Sequence, residues 1–215
     1  MNTFFGEIVH DFNKDLEFEK STRTPMDKFY REVWGVQDIS VEDYNTETGR
    51  INQQKDRDVL VTSNSGRKVY ISEKYRKGAW DDILVEIFSV YPEKVGWSVH
   101  SEADIIAYVV PEKNTVTEIG VSTLVPVANQ ILRTLDSGLI ERLIKLGEKS
   151  TKIELPLYGR NIRCRLICAR NIGYNTISVA ISKKDLKDMG VKMKDFPLNL
   201  TNINEEIEDF TKILE

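Results

Sequence analysis

The residues of this chain best suited to chemistry lie between Asp58 and Glu86. Two β-rich runs, Asp58 to Thr62 and Lys68 to Lys74, flank the turn cluster Ser63-Asn64-Ser65-Gly66, a pattern that predicts a hairpin. Strand partners directly opposite each other share a face at about 5 Å. If the turn closes on Ser65-Gly66, Asp58 lies opposite Glu73; a shift of one residue puts it opposite Ser72 and diagonal to Lys74. Either register brings Asp58 to the tripeptide Ser72-Glu73-Lys74. Glu86 stands in the middle of the next apolar run, where a charge is expected only if it is paired or metal-bound. Carboxylates beside a lysine suit phosphodiester hydrolysis: hard oxygen ligands hold Mg²⁺ or Mn²⁺, the cation polarises the phosphate and acidifies a bound water, and the ammonium orients that water or offsets charge. Asp58, Glu73, Lys74 and Glu86 are the candidate catalytic residues, with Asp58, Glu73 and Glu86 as candidate metal ligands and Gln54 as a supporting polar group.

An Asp at the start of one strand, a turn, then Glu and Lys at the end of the next resembles the PD-(D/E)XK nucleases. The run Asp58-Val-Leu-Val through Ile71-Ser-Glu-Lys74, then Asp82 to Glu86, Gly96-Trp97 and Ala103 to Tyr108, is similar to a group of phage and bacterial proteins with that core, over roughly residues 50 to 110. The resemblance implies a mixed sheet flanked by helices, Mg²⁺ or Mn²⁺ dependence, and cleavage of DNA or RNA, with DNA favoured. The family motif places its acid two residues before the lysine, where this chain has Ser72. Glu73, adjacent to Lys74, points to the opposite face of a regular strand. Three resolutions follow: Glu86 supplies the missing ligand, a bulge turns Glu73 inward, or the scaffold is degenerate and binds nucleic acid or acts as an inhibitor without turnover.

The charge balance, 30 Lys and Arg against 34 Asp and Glu, gives a net −4, so a polyanion partner requires a local surface. Residues 50 to 77 hold eight basic residues against three acids. Arg57, Arg67, Lys68, Arg76 and Lys77 from this stretch are candidate phosphate contacts, joined by Arg163 and Arg165, which share one face of a predicted strand. Edge lysines that block aggregation are the bland alternative. Trp34, Trp80 and Trp97 can stack on bases or pack in a core. Cys164 and Cys168, about 13 Å apart along one straight strand, can neither bridge nor share one zinc ion with the two His. A reducing, cytoplasmic setting follows. The start carries acids and lacks a basic-then-apolar leader pattern, and no run approaches the length of a membrane span.

The elements that must position these residues read as an α/β (α+β) domain over residues 1–215, a mixed central sheet flanked by helices in a restriction-endonuclease-like core, about 37–150, with a strand and helix extension over 151–215. Two helices are expected over 3–34, the second opened by Thr24 and Pro25. The polar segment 37–54 suggests only short strand pieces. Runs at 83–89 and 104–110 suit strands of the hairpin's own sheet. Helical stripes follow on Leu124 to Leu135 and Leu139 to Leu146. Then come two β-runs around Tyr158-Gly159, a strand near 176–181, a short helix from Lys183 and a last amphipathic helix on Ile203, Ile207, Phe210 and Leu214. Dimerisation, as many nucleases use to cut both strands, is compatible with this reading.

Overall fold

The structure, a computed structural model, describes residues 12–43 and 45–198, with side chains from Arg23 onward. In chain order the elements are α1 (Phe12–Val33), β1 (Val36–Val41), α2 (Glu47–Gln54), β2 (Val59–Ser63), β3 (Lys68–Tyr75), β4 (Asp82–Val90), β5 (Lys94–Val95) and α3 (Trp97–His100). There follow β6 (Ile105–Val110), β7 (Thr115–Gly120), α4 (Val121–Thr134), α5 (Ser137–Leu146), β8 (Ser150–Leu157), β9 (Arg160–Asn171), β10 (Tyr174–Ser182), α6 (Lys183–Asp188) and β11 (Met193–Pro197). The class is mixed α and β. Among the described residues, no helix is long and apolar enough to cross a membrane.

Two sheets form. The first has six strands in the order β1-β2-β3-β6-β7-β11 and is antiparallel except where β3 runs parallel to β6. The second has five antiparallel strands in the order β5-β4-β10-β9-β8. Side-chain alternation gives β3 and β6 two different faces. Val69, Ile71, Ile105, Ala107 and Val109 join Met26, Phe29, Tyr30 and Trp34 in a core under α1. Ile106, Tyr108 and Val110 turn the other way, into a larger core with Ile83, Val85, Leu166 and Val179 of the second sheet and Leu124, Val127 and Ile131 of α4. Every residue of β6 is therefore buried, which explains its unbroken apolar run.

Several expectations change. The run at 83–89 is a strand, β4, but it belongs to the second sheet, where its antiparallel partner is β10. Its alternating pattern, with Ile83, Val85 and Ile87 fully buried and Leu84 and Glu86 half-buried, fits a sheet with one core face and one partly open face. A single helix spans Pro25 instead of ending before it. Burial of Met26, Phe29, Tyr30 and Val33 against the sheet holds the helix together despite the backbone hydrogen bond that proline removes. The segment 37–54 holds a whole strand and a helix, α2, whose Thr46 side chain accepts from the Gly49 amide at its N-terminus. Strand β7 was not anticipated; the others from 104 to 188 form near where their patterns place them. The helix expected on Ile203 to Leu214, and the start of the helix expected from residue 3, lie outside the described residues.

Candidate active site

The hairpin takes the register in which Asp58 faces Ser72: Val59 pairs with Ile71, and the Asp58 amide donates to the Ile71 carbonyl at 2.9 Å. Asp58 Oδ2 accepts from the Glu73 amide at 2.8 Å and from Ser72 Oγ at 3.3 Å. Ser72 and Lys74 project on the same face of β3, so the Lys74 ammonium comes within 3.6 Å of Asp58. Its nearer partner is Asp56, at 2.6 Å. Asp56 follows α2 with a left-handed backbone, φ 59, which satisfies the helix end and turns the chain into β2. The carboxylate is buried and its Oδ2 makes no hydrogen bond.

Glu86 arrives from the other sheet. Gly96 makes this possible: a Cβ there would stand 2.4 Å from the Glu86 carbonyl oxygen, and its amide donates to the Ile87 carbonyl at 2.8 Å. With the chain this close, the Trp97 amide donates to Glu86 Oε1 at 3.4 Å, and the Trp97 ring lies 5.5 Å from the Lys74 ammonium. Burial raises the Glu86 pKa, and the Trp97 amide and Lys74 oppose that shift while Asp56 adds to it. Burial works against the Lys74 charge, but Asp58, Asp56 and Glu86 together outweigh it, so its pKa ends above the ordinary lysine value.

Glu73 is not part of this group. No register shift interrupts β3, so its side chain passes to the α1 face, as the regular period requires. There the carboxylate accepts from Tyr30 Oη and Tyr75 Oη, both at 2.7 Å, and Arg23 Nη1 lies 3.0 Å away. Glu73 as a metal ligand is thus corrected: its oxygens are committed to α1, and the bulge that would bring it inward does not form. The structure brings together Asp58, Lys74 and Glu86, and adds Asp56. No strand pattern marks Asp56: its left-handed backbone after the unanticipated α2, and not alternation, brings it to Lys74. Gln54 ends α2 with an exposed side chain.

The basic candidates divide in the same way. Arg67 and Lys68 sit at the hairpin tip, six residues along the strand from Lys74, or about 20 Å. Arg57 lies over Tyr70 and pairs with Glu102, while Arg163 pairs with Glu154 on the outer strands. Lys77 is exposed in the loop after β3. Arg76 and Arg165 converge on Asp82, at 2.7 and 3.5 Å, beside the four-residue group.

No protein-family model, curated protein or solved structure matches this chain. Asp56 and Asp58 pair with the Lys74 ammonium and Glu86 adds a weaker attraction from the second sheet, so the half-buried corner carries more negative than positive charge, and unpaired charge there is costly. Among the described residues, no three His, Cys, Asp or Glu side chains stand close enough as they are to share one cation; Lys74 draws Asp56 and Asp58 to itself. The donors here are hard oxygens, and the Asp56 Oδ2 is without a hydrogen bond, which is the donor chemistry that Mg²⁺-type ions take.

Proposed function

We propose that the chain is a metal-dependent nuclease, hydrolysing phosphodiester bonds of DNA or RNA on a restriction-endonuclease-like core. The observation that carries this reading is the gathering of Asp56, Asp58 and Glu86, from two sheets and a helix end, around Lys74. The hairpin followed by the parallel β3–β6 pair supports the core assignment. Asp58 and Glu86, with Asp56, would hold Mg²⁺ or Mn²⁺, which when bound supplies Lewis acidity and an acidified water. Lys74 keeps its charge through neutral pH, so it donates hydrogen bonds and does not serve as a base: it orients the attacking water and offsets charge on the phosphate oxygens. Ser72 and the Glu73 amide fix the Asp58 carboxylate against β3. Burial holds the Glu86 pKa above the ordinary glutamate value, against the pull of the Trp97 amide and Lys74. The two free, buried cysteines support a reducing, cytoplasmic setting.

The test is incubation of purified protein with plasmid, single-stranded DNA and RNA in Mg²⁺ or Mn²⁺. Cleavage is expected from the wild type and lost in Asp58→Ala and Lys74→Ala; equal cleavage by wild type and Asp58→Ala removes the assignment. The Lys74 ion pairs favour a second reading, a module that binds nucleic acid or inhibits a partner without turnover, because they occupy the space between the carboxylates. Nucleic acid retained but uncut in Mn²⁺ selects it.

A further inference from the structure

We propose that Trp80, with Arg76 and Arg165, forms a stacking subsite for an unpaired nucleobase, so that the ligand of this face is single-stranded nucleic acid. The proposal rests on the nuclease reading only for its consequence in cleavage; the binding it describes stands on separate residues. Of the three tryptophans, Trp34 is buried and Trp97 is held between Glu86 and Lys74, whereas Trp80 is 48% exposed. It is nevertheless fixed in place. Gly78, at φ 90, takes a backbone that disfavours any other residue and lies against the indole, a Cβ there falling 2.7 Å from the Trp80 ring nitrogen. The Trp80 amide donates to the Gly78 carbonyl at 3.0 Å, and the Gly78 amide donates to Glu112 Oε1 at 2.8 Å.

The guanidinium carbons of Arg165 and Arg76 lie 4.8 and 5.9 Å from the Trp80 ring centroid. Asp82 offers one oxygen to each arginine and so holds both at the ring. Arg76 also donates to Tyr108 Oη at 3.2 Å, and that oxygen accepts from the Leu84 amide at 3.1 Å, so the corner is tied to both sheets. Arg76 and Arg165 stand against Asp82 and Glu112, the neighbouring Asp81 is paired with Lys113, and exposed Lys152, opposite Arg165 on β8, adds positive charge along the sheet. Asp82 lies four residues from Glu86 on the same side of β4, about 13 Å by strand rise. A backbone held at the arginines is therefore within a few nucleotides of the carboxylates.

A pinned, half-exposed indole flanked by cations is the composition of a base-stacking platform. In a duplex interior each base is already stacked on its neighbours, so the indole gains a partner only from an unpaired or terminal base. Binding in EDTA, where hydrolysis is suppressed, isolates this subsite. Fluorescence anisotropy of a labelled oligothymidylate and of a blunt duplex is measured with wild type, Trp80→Ala, Trp80→Phe and, as a control on outer-strand charge, Arg163→Ala. Trp80→Ala is expected to weaken single-strand binding about 5- to 150-fold, with Trp80→Phe retaining most of the affinity and duplex binding moving less than about twofold. Undiminished single-strand binding by Trp80→Ala, an equal loss on duplex, or no binding by the wild type overturns the proposal. If Trp80-dependent binding is seen but no preparation cleaves, the nuclease reading falls and the stacking subsite stands. If cleavage occurs without that dependence, the reverse holds.

Discussion

Replacing Glu118 with glutamine should remove a pH-dependent loss of stability that the wild type carries. Glu118 lies on β7 with no solvent exposure, and neither of its carboxylate oxygens has a good hydrogen bond. Its strand neighbours are Ala107 on one side and Lys194 on the other, and Glu73 flanks Ala107 in the same row. Burial raises its pKa to about 7, with Lys194 and the Trp34 indole only partly opposing that. The folded protein therefore binds a proton here that the unfolded chain, with an ordinary value of 4.5, has released. This contribution is fully present below the unfolded value and is lost as pH rises towards 7. Each unit of separation is worth about 1.4 kcal/mol, so the wild type forfeits about 3 kcal/mol across that window. Glutamine keeps the shape and stays neutral. Urea unfolding of both proteins at intervals from pH 4.5 to 8 reads the difference directly, because titrations common to the two cancel. The variant should gain on the wild type by about 3 kcal/mol between the ends of the range. Parallel curves would refute the inference that this carboxyl is forced to ionise in an apolar core.

Glu73→Gln weakens three contacts to Tyr30, Tyr75 and Arg23 but touches no member of the Lys74 cluster. It should cost about 2–3 kcal/mol in denaturant melts while any cleavage rate stays within about twofold of wild type; a loss of cleavage comparable to Asp58→Ala would put Glu73 back in the site. Gly96→Ala meets the Glu86 backbone at 2.4 Å, so it should displace Trp97 from Glu86 and lower both stability and activity, read as a shifted emission spectrum in a Trp80→Phe background, where Trp97 reports beside the buried Trp34. Burial pushes the Cys164 thiol up to about 12 and raises that of Cys168 as well. Neither should react with iodoacetamide at pH 8 until the chain is unfolded, as mass spectrometry of the labelled protein would show.

The local patterns were legible where one strand or helix decided its own form. The hairpin, the β6 run and the stripes of α4 and α5 are set by alternation and helical period, so they formed where expected. The strand partners were harder, because pairing is decided by the whole core. Nothing within Ile83 to Ser89 says that its neighbour is β10, nearly a hundred residues on, and not β6. The site shows the same division. Asp58, Lys74 and Glu86 were visible as charges at strand positions, but the register that selects Ser72 over Glu73 depends on how the turn closes. Asp56 was hidden because its place depends on α2, a short helix in a stretch whose Asn, Thr and Gly read as turn formers. The pooled basic charge of residues 50 to 77 misled for a simple reason: strand rise carries Arg67 and Lys68 to the opposite end of the hairpin from Lys74.

Ser72, where the resemblance leads one to expect an acid, has a structural consequence of its own. Ser72, small and fully buried, occupies the strand position beside Asp58, and its hydroxyl donates to that carboxylate instead of competing with it for a cation. An acid at 72 would put a further carboxylate beside Asp56 and Asp58, with only Lys74 to offset the three of them. On the proposed reading, an oxygen from Glu86 on β4 would share the charge between two sheets and make the site depend on their docking, to which the Leu84–Tyr108 hydrogen bond contributes. Tyr108→Phe should therefore weaken the approach of Glu86 to Lys74 without touching either residue, read as slower cleavage in Mn²⁺ than wild type, a coupling that a site held on one hairpin would not show and that an unchanged rate would refute.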